Sequence, residues 1–192
     1  MTDGVSSRSG AQEHHKKQRT SASARSSEIL GFKWVDGGEF PDNKMDDVPL
    51  LEIVNLIEEI KAFIRPTIIY THSAADLNID HRITSQATLT AFRPQPNEVW
   101  QEIRTFEIPS ATDYGHKSIT SSFEPNLYID IKSAWGEKLS ALNAYHIEMR
   151  SAPHSRSLAG LENLAKLRGN QVGLEYAEAF EIIRKIERCQ TT

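Results

Sequence analysis

Apolar positions recur at helical spacing most clearly between Val48 and Ile64. Leu51, Val54, Ile57, Ile60 and Ile64 fall on one face there, with Glu and Lys on the other. Arg65-Pro66 ends that helix, because the residue before a proline is pushed out of the α region. Thr67-Ile68-Ile69-Tyr70-Thr71 follows, an apolar and β-branched run of the kind a buried parallel strand shows. Helix, turn and buried strand make a βαβ rhythm, which predicts a doubly wound sheet.

The remaining elements are read in the same way. Ala11 to Leu30 is polar and helix-tolerant, with Gly31 at the C-cap position. Phe32 to Val35 gives a short strand signal, and Phe40 to Asp47 is turn chemistry. A helix is expected from His81 to about Phe92, ended by Arg93-Pro94. Arg104 to Ile108 and Leu127 to Ile131 are strand candidates. Ser133 to Met149 reads as a helix with Trp135, Leu139, Leu142 and Tyr145 in phase, and Leu158 to Arg168 as another, stopped by Gly169. Ala177 to Ile186 suits a strand or a helix. Met1 to Gly10 reads as a Ser- and Gly-rich loop.

Composition narrows the class. The chain has 192 residues, 39% hydrophobic and 25% charged, enough for one α/β domain over residues 1–188 with a short tail at 189–192. No apolar run approaches the ~20 residues of a membrane-spanning helix. The first ten residues lack the apolar core of a secretory signal, so a cytoplasmic location is expected. Cys189 is the only cysteine, which excludes an internal disulfide framework and a cysteine zinc knuckle. A net charge of −4 gives no electrostatic case for nucleic acid as a partner. Homo-oligomerisation is left open.

The segment from Tyr70 to Arg82 concentrates His72, Asp76, Asn78, Asp80, His81 and Arg82 directly after the best strand, where open α/β sheets put their ligands. His81 begins a helix, so a neutral imidazole there can bind a metal while Asp76 or Asp80 holds its second nitrogen. Asp80 can equally be only a helix N-cap. Two histidines do not fill a zinc sphere. Asp42 and Asp46 are explained by turn chemistry, and His14-His15-Lys16-Lys17 reads as a solvated face. His154 and Arg156 lie in a Pro-flanked loop, a place where exposed functional residues occur.

Asp76-Leu77-Asn78-Ile79-Asp80-His81-Arg82 resembles the second metal motif of the LmbE-like (PIG-L) deacetylases. Other segments resemble the same family in the same order. They are Gly4 to Arg8, Phe40-Pro41-Asp42-Asn43-Lys44-Met45-Asp46, Arg93-Pro94, Glu107 to Ser110, Ala144 to Arg150, and Pro153 to Ser157 with Arg168-Gly169.

The resemblance implies a Rossmann-like α/β fold, with a mostly parallel sheet and helices on both faces. It implies a zinc ion and the hydrolysis of N-acetyl groups from GlcNAc-type sugars or their conjugates. The family holds zinc with a His and an Asp of an A-H-P-D-D-E motif and a His of the second motif, and another Asp of the first motif is the general base. Only the last ligand has a counterpart here, His81. H-P-D-D does not occur in the sequence, so the first strand-helix unit, roughly 40 residues at usual element lengths, is expected to be missing.

Asn78 stands where many relatives have an oxyanion-stabilising His. Its amide can donate a hydrogen bond but cannot shuttle a proton. The resemblance puts Asn78, Asp80 and His154 among the catalytic candidates and Arg8, His72 and Arg156 among those binding substrate. His72 and His154 are the alternatives for the acid role. Three readings follow: a zinc N-deacetylase, inactive as these 192 residues; a catalytically dead remnant; or a sugar-binding α/β module without metal.

Overall fold

The computed structural model describes residues 1–2, 4, 7, 13–35 and 38–189. In chain order the elements are α1 (Glu13–Leu30), α2 (Leu50–Ile64), β1 (Ile68–His72), α3 (Ile79–Ala91), β2 (Glu102–Phe106), β3 (Leu127–Asp130), α4 (Trp135–Ala144), α5 (Leu158–Asn170) and β4 (Ala177–Lys185). A single 3-10 turn, Met45–Asp47, precedes α2. The strands form one open sheet in the order β1-β2-β4-β3. This is the α/β architecture expected from the sequence. It is mixed, because β1 runs parallel to β2 while β4 lies antiparallel to β2. Among the described residues no helix is long and apolar enough to cross a membrane.

The chain divides into two compact units. The first comprises Met1, residues 37–127 and residues 180–192. Its core is Met45, Ile53, Val54, Ile69, Ala87, Ala91, Phe92, Trp100 and Ile103. Each large member contributes about 1.5–3 kcal/mol by leaving water. α3 packs against both α2 and β1. Lys61 pins the end of α3 by donating to the Ala91 carbonyl at 2.8 Å and to Glu98 at 2.7 Å.

The second unit comprises residues 2–36 and 128–179. There α1 packs on α4, burying the small residues Ala22 and Ser26 of α1 and Ala141 of α4. Small residues four apart let two helices approach closely, which is how a largely polar helix such as α1 finds a partner. Arg19 and Glu148 pair at 2.8 Å within this unit.

Four expectations need correction. Phe32 to Val35 forms no strand: the Phe32 N–H bonds back to the Ser27 carbonyl of α1 at 3.1 Å, and the Phe32 and Trp34 rings are exposed and meet edge to face. In α2 the buried residues are Ile53 and Val54, while Leu51 is 68% exposed. The buried stripe is the expected one turned toward Ile53, away from the exposed Glu52, Asn55 and Glu59, and it keeps Val54 in the core and Ile57 half-buried against it. β1 is buried on one face only, at Ile69 and Thr71, where α3 packs on it and the Thr71 and Thr88 hydroxyls lie 3.2 Å apart; Ile68 and Tyr70, on the other face, are exposed. Gly169 does not stop α5. It lies inside the helix, where a Cβ would sit 2.6 Å from the Leu174 carbonyl oxygen. Ala177–Lys185 is a strand, which closes the choice left open by its sequence.

Candidate metal and substrate site

The candidate site lies in the first unit, at the carboxyl end of β1. His72 is the last residue of that strand, in register with Phe106 of β2, and its ring lies 4.9 Å from the Phe106 ring. The loop to α3 is built from short-range hydrogen bonds. The Ala75 N–H donates to the Ser73 hydroxyl at 3.1 Å, and the Asn78 N–H donates to Asp76 Oδ1 at 2.8 Å. Asn78 then caps α3: its Oδ1 accepts from the Asp80 N–H at 2.8 Å and the His81 N–H at 3.4 Å. Arg82 donates to the Asp76 carbonyl at 2.9 Å and closes the loop from outside.

Asp76 is fully buried and faces His81. Its Oδ2 lies 2.9 Å from His81 Nδ1 and 3.3 Å from the Thr112 hydroxyl. A ring nitrogen facing a carboxylate oxygen carries the proton, so neutral His81 is protonated on Nδ1 and keeps the Nε2 lone pair. Of the two aspartates that could hold His81, the structure selects Asp76.

Asp80 does something else. Its Oδ2 accepts from the Asn43 N–H at 2.6 Å and its Oδ1 from the Met45 N–H at 3.0 Å. Both oxygens are committed to tethering the Phe40–Asp47 turn to the first turn of α3. Asp80 is thus neither the N-cap, which is Asn78, nor placed as a free acid or base. The Asn78 amide is partly committed as well, donating to Asn43 Oδ1 at 3.1 Å.

His72, Asp76 and His81 each offer a ligand atom within 4.8 Å of the others. The ring geometry limits what they can share. The His72 and His81 rings are parallel to within 6° with centroids 4.1 Å apart, so they are stacked. An ion lies near the plane of each imidazole that binds it, and two stacked planes do not share such a point. In this arrangement His81 is the residue that could offer Nε2 to an ion, with the Asp76 carboxylate behind it and His72 covering the ring face. Burial, and then the neighbouring His81, lower the His72 pKa from 6.5 to about 3, against the opposing pull of Asp76. A neutral His72 can stack on a metal-binding imidazole without repelling a cation. Its buried Nδ1 has no hydrogen-bond partner among the described residues. An imidazole nitrogen backed by a carboxylate suits zinc, so these residues fit one ligand position of such an ion.

The other candidates are elsewhere in the chain. Arg8 lies outside the described residues. His154 and Arg156 belong to the second unit, in the turn before α5. The Arg156 N–H donates to His154 Nδ1 at 3.0 Å, and Arg156 Nε is buried without a partner among the described residues. Spacing did not reveal Thr112, Asn43 or Met45 as neighbours of this site. They come from segments more than 30 residues away in sequence, and no local pattern marks such contacts.

Comparison with solved structures shows a fold shared with several known proteins, deacetylases among them. The chain aligns with N,N'-diacetylchitobiose deacetylase from Pyrococcus horikoshii at 20% identity and a TM-score of 0.71, over 96% of this chain and 71% of that one. A conserved protein from Thermus thermophilus aligns at 20% identity and 0.66, over 96% and 80%. The zinc-inhibited form of the teicoplanin deacetylase Orf2 aligns at 16% and 0.64, over 92% and 77%. The family resemblance read from the motifs is borne out: the PIG-L family, GlcNAc-PI de-N-acetylase, matches residues 1–92. No curated protein sequence matches the chain at a significant level.

Proposed function

We propose that this protein is an N-deacetylase that uses zinc to remove the acetyl group from a GlcNAc-type amino sugar or its conjugate. The observation carrying this reading is the Asp76–His81 pair, at 2.9 Å, beyond the carboxyl end of β1. When bound there, zinc lowers the pKa of a coordinated water and polarises the amide carbonyl. The chain's own residues do the rest of the work named here. His81 offers Nε2 as a ligand, Asp76 fixes the tautomer that makes it available, and His72 holds the ring plane. Asn78 has a second amide hydrogen beyond the one given to Asn43, and in this reading it donates to the developing oxyanion. His154 has its Nδ1 occupied by the Arg156 N–H and so acts only as an Nε2–H donor. Arg156 and Arg8 keep the sugar-binding role that the resemblance implies.

The H-P-D-D residues that the family uses for two further ligands and the base do not occur in the 192 residues. One protein ligand is fewer than the three a catalytic zinc site usually takes. The same reading therefore has these 192 residues release no acetate when expressed alone. The test is acetate release from N-acetylglucosamine and N,N'-diacetylchitobiose, with zinc supplied. It compares the protein isolated from its source with the 192 residues expressed alone. The expected result is turnover by the former, lost in His81→Ala, and none by the latter. Sugar binding without acetate release, unaffected by His81→Ala, would instead support a sugar-binding module.

A further inference from the structure

We propose that Thr112 is a positioning residue for His81, acting through Asp76 from a strap that folds back after β2. The strap meets the metal loop at three residues. Gly115 sits so close to Ala75 that a Cβ there would be 2.1 Å from the Ala75 carbonyl oxygen. The Thr112 hydroxyl lies 3.3 Å from Asp76 Oδ2, the oxygen that faces His81. The Leu77 N–H donates to the Ala111 carbonyl at 3.0 Å.

The direction of the Thr112 proton follows from its other bond. The hydroxyl accepts the Ile108 N–H at 2.8 Å, and the Thr112 N–H donates back to the Ile108 carbonyl at 2.8 Å. With one lone pair taken inside this turn, the hydroxyl proton points to Asp76 Oδ2. Asp76 Oδ2 then receives both Thr112 O–H and His81 Nδ1–H, while Oδ1 receives the Asn78 N–H. A carboxylate held on both oxygens does not rotate, and the His81 proton stays on Nδ1. At 3.3 Å the hydroxyl bond is long for one to a carboxylate, so its loss shifts the tautomer balance without abolishing the pair.

The competing account is that Thr112 only closes its own turn. That account lowers stability on substitution but leaves the His81 ring unchanged. Only the consequence for zinc rests on the reading in the preceding subsection; the tautomer does not. The experiment uses the 192-residue chain with 15N-labelled histidine at one fixed, near-neutral pH. It reads the His81 ring nitrogens by long-range 15N–1H correlation and zinc affinity by calorimetry.

Wild type and Thr112→Ser are expected to show Nδ1–H alone. Thr112→Val is expected to show the Nε2–H form as well and to weaken zinc binding about tenfold, the low end for a group behind a ligand. Asp76→Asn should show the same change, larger. A folded Thr112→Val with a wild-type ring pattern and wild-type zinc affinity overturns the proposal. Thr112→Ala carries the same comparison if the valine variant does not fold. If the 192 residues alone hold no measurable zinc, as a single protein ligand allows, the ring pattern by itself decides the role of Thr112.

Discussion

The turn leading into α3 and the turn leading into α5 look alike in sequence and are built for different chemistry. Each ends in a side chain that caps the next helix, Asn78 on α3 and Ser157 on α5, with a histidine and an arginine close by: His81 and Arg82 in the first turn of α3, His154 and Arg156 just before α5. In the first, His81 Nδ1 faces the buried Asp76 carboxylate at 2.9 Å. In the second, His154 Nδ1 accepts the Arg156 N–H at 3.0 Å. The neutral rings therefore carry their protons on opposite nitrogens. His81 keeps a lone pair on Nε2 and can ligate a metal, whereas His154 presents an Nε2–H and can only donate. Residue type does not distinguish these two histidines; the partner of Nδ1 does.

The largest expected break in that contrast is at Asp76. Asp76→Ala leaves the Asn78 N–H, the His81 ring and the Thr112 hydroxyl without their acceptor in a buried place. It should cost about 3 kcal/mol in a denaturant titration. The milder Asp76→Asn should weaken zinc binding roughly 10–100-fold by calorimetry. His81→Ala should remove zinc binding altogether, and His154→Ala should leave it unchanged. Loss of zinc affinity in His154→Ala equal to that in His81→Ala would erase the distinction.

His72 sharpens the same contrast through pH. Its folded pKa of about 3 lies below the ordinary 6.5, so the unfolded chain takes up a proton that the folded chain refuses. The contribution to stability is fully present above pH 6.5 and is lost as pH falls toward about 3. The slope for this one residue approaches about 1.4 kcal/mol per pH unit. Urea midpoints measured across that window should fall less steeply in His72→Gln than in wild type.

Asp80→Ala should cost about 2 kcal/mol, since two backbone N–H groups lose their acceptor, with zinc affinity little changed. A large loss of zinc affinity there would return Asp80 to the metal site. The smallest effects are expected at the caps. Asn78→Ala and Ser157→Ala should each lower stability by about 1 kcal/mol, read as a shift in thermal midpoint.

The parts of the site that the sequence disclosed are those made by neighbours in the chain. Asp76, Asn78 and His81 lie within five residues of one another, and the capped turn that joins them is written in Asp-x-Asn-x-Asp-His. The turn after Phe40 and the segment around Thr112 were legible only as turns. Their contacts with Asp80 and Asp76 span 35 to 37 residues and depend on how β1, α3 and β2 pack. For the same reason Asp80 looked like a cap or a catalytic group when it is a tether. The fold shows the same division. Most helix positions and the β1 strand followed from local patterning, and Val54 and Ile57 of α2 do pack in or against the core, whereas Leu51 and Ile64 are exposed and α4 ends at Ala144, short of the expected Met149. Phe32 to Val35 has strand-forming residues but no strand beside it among the described residues, and propensity alone does not make a sheet.

The most direct test of the central claim is a single long-range 15N–1H correlation spectrum of the histidine-labelled wild-type protein near neutral pH, with His81 and His154 assigned by substitution. The account predicts a proton on Nδ1 of His81 and on Nε2 of His154. A proton on Nε2 of His81 would contradict it, because that nitrogen would then have no lone pair to give a metal.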